Sequence, residues 1–269
     1  MPSLMQKLGP GLLYAGAAVG VSHLVQSTRA GANYGLIMIA VVMLANVLKY
    51  PFFKAGPLYA ANQKESLLEA FYRSGRWTMA LFYLLTFSTI FAVQAAVTLI
   101  TSSLSSSIFQ IELPLWIISL FLLSLCSLIL LLGRYQLLDR LMKMVIVLLS
   151  ITTLVTLIAA IFHYQTPLEQ SPSFSFGEQA DIFFLIALIG WMPAPLDISL
   201  WHSEWTLAKS DNSVGHLEPK RALFDFQIGY WGTTFLALAF VAFVSMLLRG
   251  QGDELSSIGP VVASQIIGL

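Results

Sequence analysis

Seven long apolar stretches constrain this chain more than any other feature. A helix needs about 20 mostly apolar residues to cross the hydrocarbon core of a bilayer. Only 10% of the residues are charged, against about 25% in a soluble domain, so a soluble fold could not cover its surface with polar groups. We therefore predict an all-α integral membrane protein. The stretches run roughly over 9–30, 33–53, 77–103, 113–133, 141–163, 181–203 and 223–248.

The basic residues indicate how these helices are oriented, because cytoplasmic loops of membrane proteins carry an excess of Lys and Arg. When the spans alternate in direction, all of the 14 basic residues except Arg29 and Arg249 fall on one side. This pattern predicts a multi-pass protein with a cytoplasmic N-terminus, as in the inner membrane of a bacterium. The net charge of zero gives no indication of a nucleic-acid partner. The connection after the second span is assigned Lys49, Lys54, Lys64, Arg73 and Arg76.

Three connecting or terminal segments also carry information. Ser66 stands three residues before Glu69, which is the spacing of a capping box and predicts a short amphipathic helix on the cytoplasmic face. The segment 164–180 is rich in Ser, Pro and Phe, which predicts an external connection without regular structure. An eighth apolar stretch begins near Ser257 and is too short to span. One interpretation is that it forms a surface helix. The other is that it begins a further span, in which case the chain is a fragment of a longer transporter.

Two of the spans are predicted to be broken. The first is crowded with small residues up to Gly20 and is followed by Ser22 and His23. The sixth contains Pro193 and Pro195, and each proline removes an amide donor and obstructs the preceding turn. A continuous helix through either point is therefore not expected.

Broken helices at membrane depth are found where they lie inside protein or line a water-filled cavity. Freed carbonyls can coordinate a cation there. The breaks lie in the first and sixth spans, five helices apart, which is the spacing that two inverted five-helix repeats would give. The alternative is that the two helices are kinked independently of each other. We predict one transmembrane domain over 1–269, with a first repeat in 1–163 and a partial second repeat in 181–269, and a transport function.

Several motifs resemble those of the Nramp family of proton-coupled divalent-metal transporters. The resemblance is carried by Gly9-Pro10-Gly11, by the run from Ala30 to Gly35, by Met192-Pro193 and by His202-Ser203. The stretch from Ala45 to Phe71 is similar to the second helix of that family and the loop after it. The resemblance implies the LeuT-type fold, C-terminally incomplete here, and alternating access.

The sequence also departs from the family pattern. The family has Asp-Pro-Gly-Asn at the break of its first helix, where this chain has Gly20-Val21-Ser22-His23. Met192 matches the metal-binding methionine of the family, but Met192 and His202 stand further apart than their counterparts. An alignment anchored on His202 instead places Asp197 at a family histidine. The third span has Gln94 and no acid. We therefore predict a divergent branch of the family.

The candidate site residues follow from these two breaks and from the resemblance. A neutral imidazole and a thioether both suit transition metals, and an intramembrane carboxylate usually faces a cavity or a partner. The predicted metal ligands are His23, Met192 and Asp197. The predicted proton carriers are His23, Asp197 and His202. The substrate-binding set is predicted to be Gly20, Ser22, His23, Gln26, Met192 and Asp197, with packing as the alternative role for each side chain.

Three functions remain open from the sequence. The first is transport of a divalent metal cation, with the metal as cargo rather than as a cofactor, and with protons as the coupling partner. The second is transport of a small organic solute such as an amino acid, with Trp191 and Trp201 lining the pocket. The third is an inactive fragment. An enzyme is not predicted, because the chain shows no nucleophile–base pair, phosphate loop or cluster of zinc ligands.

Overall fold

The computed structural model describes residues 8–20, 22–163, 174–211 and 218–247, and within these ranges the only regular structure is helical. Two short segments depart from α-helical geometry, a π-helical segment over Ser22–Ser27 and a 3₁₀ turn over Gly35–Ile37. The helices are α1 (Pro10–Ala18), α2 (Thr28–Tyr34), α3 (Met38–Gln63), α4 (Leu67–Ser74), α5 (Arg76–Phe109), α6 (Leu115–His163), α7 (Gln179–Trp191), α8 (Asp197–Asp211) and α9 (Pro219–Leu247).

Both predicted breaks are confirmed. α1 ends at Ala18, and helical structure resumes at Ser22 with π-helical rather than α-helical geometry. α7 ends at Trp191, and α8 begins at Asp197. The five residues between α7 and α8 include both prolines, which cannot donate the backbone hydrogen bonds that a continuing helix would need.

Helix α9 is the centre of the bundle. It packs against α1, α2, α3 and α6, while α3 also packs along α8. Fifteen residues of α9 are buried, and they lie along most of its length, including Phe226, Tyr230 and Phe240. The core is therefore formed where the two broken helices cross α3 and α9.

The count of spans differs from the prediction. Five described helical segments are long and apolar enough to cross a membrane, namely Ser22–Gln63, Arg76–Phe109, Leu115–Gly133, Leu137–Phe162 and Pro219–Leu247. The first and second predicted spans join in one helical run, because a single 3₁₀ turn separates them. The sixth span is divided, because α7 has only 13 residues before its break.

The predicted spans 113–133 and 141–163 leave residues 134–140 as a connection between them, and the structure contradicts this. α6 runs for 49 residues from Leu115 to His163 without interruption. The segment contains no proline, and a lone glycine such as Gly133 costs a helix only about 1 kcal/mol. The basic residues between these spans therefore lie on a continuous helix. The connection predicted over 164–180 is irregular in its described part, 174–178, and the apolar stretch after Ser257 lies outside the described residues.

The predicted helix after Ser66 is confirmed as α4. The Ser66 hydroxyl accepts a hydrogen bond from the Glu69 amide (3.3 Å), and the Glu69 carboxylate accepts one from the Ser66 amide (2.7 Å). The amide of Leu67 donates to the Ser203 hydroxyl of α8 (3.0 Å). The N-terminus of α4 is thus held both by its own capping box and by α8.

We expect Ser66→Ala to destabilise α4 by about 1 kcal/mol, because the amide of Glu69 loses its acceptor. Hydrogen exchange of the amides in Leu67–Ser74, followed by mass spectrometry, measures the effect. Ser74→Ala at the other end of the helix is the control, since within the described residues the Ser74 hydroxyl donates only to the Ala70 carbonyl one turn earlier. Equal protection in both variants would contradict the role of the capping box.

Candidate functional site at the two helix breaks

The two breaks lie next to each other in the bundle. Ala18, the last residue of α1, and Ala194, in the second break, belong to one buried cluster. The π-helical segment contacts α7, and α1 contacts α8. The chain therefore brings two unwound segments together from positions about 170 residues apart.

The backbone of the first break is satisfied largely from within the break. The carbonyl of Ala18 accepts from the amide of Gly20 (3.0 Å) and from the hydroxyl of Ser22. The carbonyl of Gly20 accepts from the amides of His23 (3.2 Å) and Leu24 (3.0 Å). These contacts explain how the chain leaves α1 while both carbonyls keep hydrogen-bond donors in the interior.

His23 connects this break to α9. Its ring is completely buried. Nε2 donates to the carbonyl of Thr233 (2.9 Å), while Nδ1 lies 2.8 Å from the Ser22 hydroxyl and 3.1 Å from the Ala18 carbonyl. A neutral imidazole has one N–H, so with Nε2 donating to Thr233, Nδ1 is left as an acceptor, and the Ser22 hydroxyl that donates to Ala18 lies against it. A metal ion could use Nδ1 only after the Ser22 hydroxyl turned away.

The other residues predicted around the first break differ in their surroundings. Ser22 is buried and its hydroxyl is shared between Ala18 and His23. Gln26 is half-buried, and its buried Oε1 has no hydrogen-bond partner among the described residues. Space is open beside Gly20, where an added Cβ would meet no atom within 4 Å.

The side chains predicted from the second break also separate. Met192 is completely buried in an apolar cluster that includes Met38 and Leu188. Asp197 is exposed as the first residue of α8, where the positive end of the helix dipole favours a carboxylate. Within the described part of the chain, no three His, Cys, Asp or Glu side chains lie close enough together to hold a metal ion. Metal binding by His23, Met192 and Asp197 stays a prediction.

His202 is the most unusual polar group near the breaks. It is completely buried in α8, and neither ring nitrogen hydrogen-bonds to any described residue. Its ring stacks on Tyr14 of α1 (centroids 5.5 Å apart, planes 25° apart) and also contacts Phe226 and Trp205. An unpaired buried polar group is costly, so this imidazole has a free capacity to bind a proton, a water or another polar group.

Sequence reasoning did not identify Asp225. Its side chain is 2% exposed. Oδ1 accepts from the amide of Gly9 (3.0 Å) and Oδ2 from the amide of Gly11 (2.8 Å). Because Pro10 between them has no N–H, this one carboxylate takes both free amides at the start of α1. The Gly-Pro-Gly motif could have predicted a need for an acceptor, but not which residue supplies it.

Sequence reasoning also misplaced Lys49, which was assigned to a cytoplasmic connection. Lys49 lies inside α3 and within a candidate span. Its ammonium donates to the carbonyls of Ile189 (2.6 Å) and Gly190 (2.9 Å) at the end of α7. A charge within a span is by default a candidate functional group, and this rule could have singled it out.

The arrangement combines features that suit handling of a small polar or charged solute. Two helix ends meet at a bundle centre, an amide oxygen and two imidazole nitrogens have no partner among the described residues, and the ends of α1 and α7 leave carbonyl oxygens that need donors. Helix halves that meet a break can also move separately, since no continuous backbone ladder joins them.

Comparisons with known proteins agree with this architecture. A family model described as "Natural resistance-associated macrophage protein-like" matches residues 11–261. An uncharacterised protein of Pasteurella multocida (strain Pm70) is 35% identical over 266 residues, which are 97% of this chain and 61% of that protein. The crystal structure of the Eremococcus coleocola manganese transporter in complex with an aromatic bis-isothiourea substituted compound superposes with a TM-score of 0.63 at 18% identity. That match covers 92% of this chain and 53% of the transporter. The chain thus spans a little over half the length of both proteins.

Proposed function

The chain belongs to the Nramp (natural resistance-associated macrophage protein-like) family, and from this membership we propose that it is a secondary transporter that moves a divalent metal cation across the membrane. The cation is cargo, not a resident cofactor. Protons are the proposed coupling ions, and alternating access is the proposed mechanism. The similar fold of a manganese transporter makes manganese the first ion to test.

The observation that carries this proposal is the meeting of two broken helices at the centre of the bundle. The N-terminal half α1 packs with α8, while the π-helical segment contacts α7. Each break can therefore act as a joint between an inner and an outer half. Rocking of these halves would open the space between them first to one side of the membrane and then to the other.

In the conformation described, the proposed ligands are held by protein contacts. The Ser22 hydroxyl lies 2.8 Å from Nδ1 of His23. Met192 packs in an apolar cluster, and Asp197 is exposed. We propose that cation entry turns Ser22 away, exposes the thioether of Met192 and recruits carbonyl and amide oxygens such as that of Gln26. Such a mixed set, with one sulfur and few carboxylates, favours transition metals over magnesium.

The proposed proton carriers are His23, Asp197 and His202. His202 has the strongest structural support, because its two ring nitrogens are buried without a hydrogen-bond partner in the described structure. A histidine can gain and lose a proton within the physiological pH range. Protonation of His202 during one half of the cycle would introduce charge between α1 and α8, where Tyr14 stacks on its ring.

We expect Met192→Leu to reduce manganese uptake at least tenfold while leaving the thermal unfolding midpoint nearly unchanged, because leucine replaces the volume but not the sulfur. The measurement is uptake of radioactive manganese by proteoliposomes containing the full chain. Met38→Leu is the matched control, since Met38 is a second buried methionine in the same cluster. Equal uptake by the two variants would show that the sulfur of Met192 serves packing alone.

The same vesicles test the function as a whole. Uptake of manganese above that of protein-free vesicles, stimulated by an inwardly directed proton gradient, is the expected result. Accumulation of an amino acid from a radiolabelled panel, without any accumulation of metal, would overturn the proposal in favour of organic solute transport. Absence of both activities in a well-folded sample would also overturn it.

A further inference from the structure

The end of α7 has a shortage of hydrogen-bond donors that the sequence itself creates. In a continuing helix, the carbonyls of Ile189 and Trp191 would accept from the amides of residues 193 and 195, and both of these are prolines. The carbonyl of Gly190 would accept from residue 194, which lies in the break. The broken end therefore presents carbonyl oxygens that need a partner from elsewhere.

Lys49 supplies that partner for two of them. Its ammonium lies 2.6 Å from the carbonyl oxygen of Ile189 and 2.9 Å from that of Gly190. The last carbonyls of a helix carry the negative end of the helix dipole, which favours a cation. Among the described residues the Lys49 ammonium belongs to no ion pair with a carboxylate, so these carbonyls are its charge complement.

The position is significant because a helix end of this kind is also where a transported cation would bind. Both the ammonium and a metal ion are attracted to the same carbonyl oxygens and the same dipole. The Lys49 ammonium is covalently attached to α3, so it binds these carbonyls at the end of α7 and cannot leave the protein. A divalent ion that approaches it must overcome like-charge repulsion or push the lysine aside.

We propose that Lys49 is a tethered cation that occupies the broken end of α7 and that cargo must displace it to bind there. Lys49 thus acts as a specificity-determining residue, since it weakens binding of any cation that cannot compete for the carbonyls. This inference rests on the proposed function, because it assumes that metal enters at the two breaks. It adds that the protein carries its own substitute for the cargo.

Lys49→Met is expected to tighten manganese binding at least tenfold, because methionine keeps the length of the side chain but removes the charge. Isothermal titration of the full chain in nanodiscs with manganese chloride at fixed pH measures the dissociation constant. Lys49→Arg retains the positive charge and is expected to bind as weakly as the wild type. Lys54→Met is the matched control on the same helix, because the Lys54 ammonium lies over the ring of Tyr50 (6.0 Å). This substitution is expected to leave the affinity for manganese unchanged.

Thermal unfolding provides a second measurement, first without and then with metal. Without manganese, Lys49→Met is expected to unfold at a lower temperature than Lys54→Met, because the carbonyls of Ile189 and Gly190 lose their donor. Manganese should then raise the midpoint of Lys49→Met more than that of the wild type. If Lys49→Met does not fold, Lys49→Gln replaces it, since the neutral amide can still donate to a carbonyl; tighter binding by this variant would support the proposal.

The outcomes separate this inference from the proposed function. If the wild type binds manganese and the neutral Lys49 variants bind it no more tightly, competition is refuted while metal transport stands. If neither the wild type nor any Lys49 variant binds manganese, metal transport and competition both fail. Tightening by Lys54→Met as large as that by Lys49→Met would show a general charge effect and overturn the specific role of Lys49.

Discussion

Replacing Gly229 with alanine is expected to prevent α1 and α9 from packing and to lower the stability of the protein by at least about 3 kcal/mol, the upper range for overpacking of a core. A Cβ at this position would lie 2.0 Å from the carbonyl oxygen of Gly11, which belongs to the backbone of α1. Backbone cannot turn aside as a side chain can, so the two helices would have to separate.

Gly232→Ala is the matched control for this substitution. Gly232 lies less than one turn further along α9, and an added Cβ there meets no atom within 4 Å. Since alanine favours a helix over glycine by about 1 kcal/mol, this variant should be unchanged or slightly more stable. The two substitutions are chemically identical, and only tertiary contact predicts opposite signs.

Thermal unfolding of the purified chain in detergent, followed by tryptophan fluorescence, measures both variants. Gly11→Ala provides an independent check on the same contact, because its Cβ would lie 2.0 Å from the carbonyl oxygen of Asp225. A wild-type midpoint for Gly229→Ala would mean that α1 and α9 do not approach as closely as described. Manganese uptake by this variant should fall with the folded fraction.

The second large effect is expected at Asp225. Asp225→Ala should lower the free energy of unfolding by about 2–6 kcal/mol, because the amides of Gly9 and Gly11 would be left buried without an acceptor, at about 1–3 kcal/mol each. Asp225→Asn keeps one carbonyl oxygen and should lose less. Asp225 is 2% exposed, so water cannot readily replace the carboxylate.

Hydrogen exchange at the start of α1 distinguishes loss of this cap from general destabilisation. We expect the amides around Gly9 and Gly11 to lose protection first in Asp225→Ala, before those in the middle of α9. Glu218→Gln is the control, since Glu218 is an exposed acid beside the start of α9 that pairs loosely with Arg221 (3.7 Å). Equal loss of protection along the whole chain would contradict a local role for Asp225 at α1.

The features predicted correctly share a local cause. Pro193 and Pro195 remove donors from their own helix, and the Ser66–Glu69 spacing closes a capping box within one turn. The Nramp resemblance was also carried by short contiguous motifs, and the family match confirms it. The lengths of the apolar stretches predicted a membrane protein, because the thickness of a bilayer sets the minimum length of each spanning helix.

The predictions that failed or stayed open depend on which segments meet. The connection that the predicted spans leave at 134–140 is part of the helix α6, because polar and basic residues alone do not end a helix that contains no proline. Lys49 was placed in a connection because its sequence neighbours do not reveal carbonyls 140 residues away. Met192 matched a family ligand, yet its environment in this conformation is an apolar cluster, so its proposed role depends on motion.

The sequence by itself determined that the chain is a bundle of membrane helices and that two of them break, since these properties follow from apolar length, from the small residues up to Gly20 and from the amide donors that Pro193 and Pro195 lack. Tertiary structure decided which distant side chains satisfy the backbone groups that the breaks and helix ends leave without a local partner. The carboxylate of Asp225 reaches the start of α1, the imidazole of His23 reaches α9 and the ammonium of Lys49 reaches the end of α7. These partners come from distant segments because the groups they reach, at helix ends, are not paired by the residues next to them in the chain.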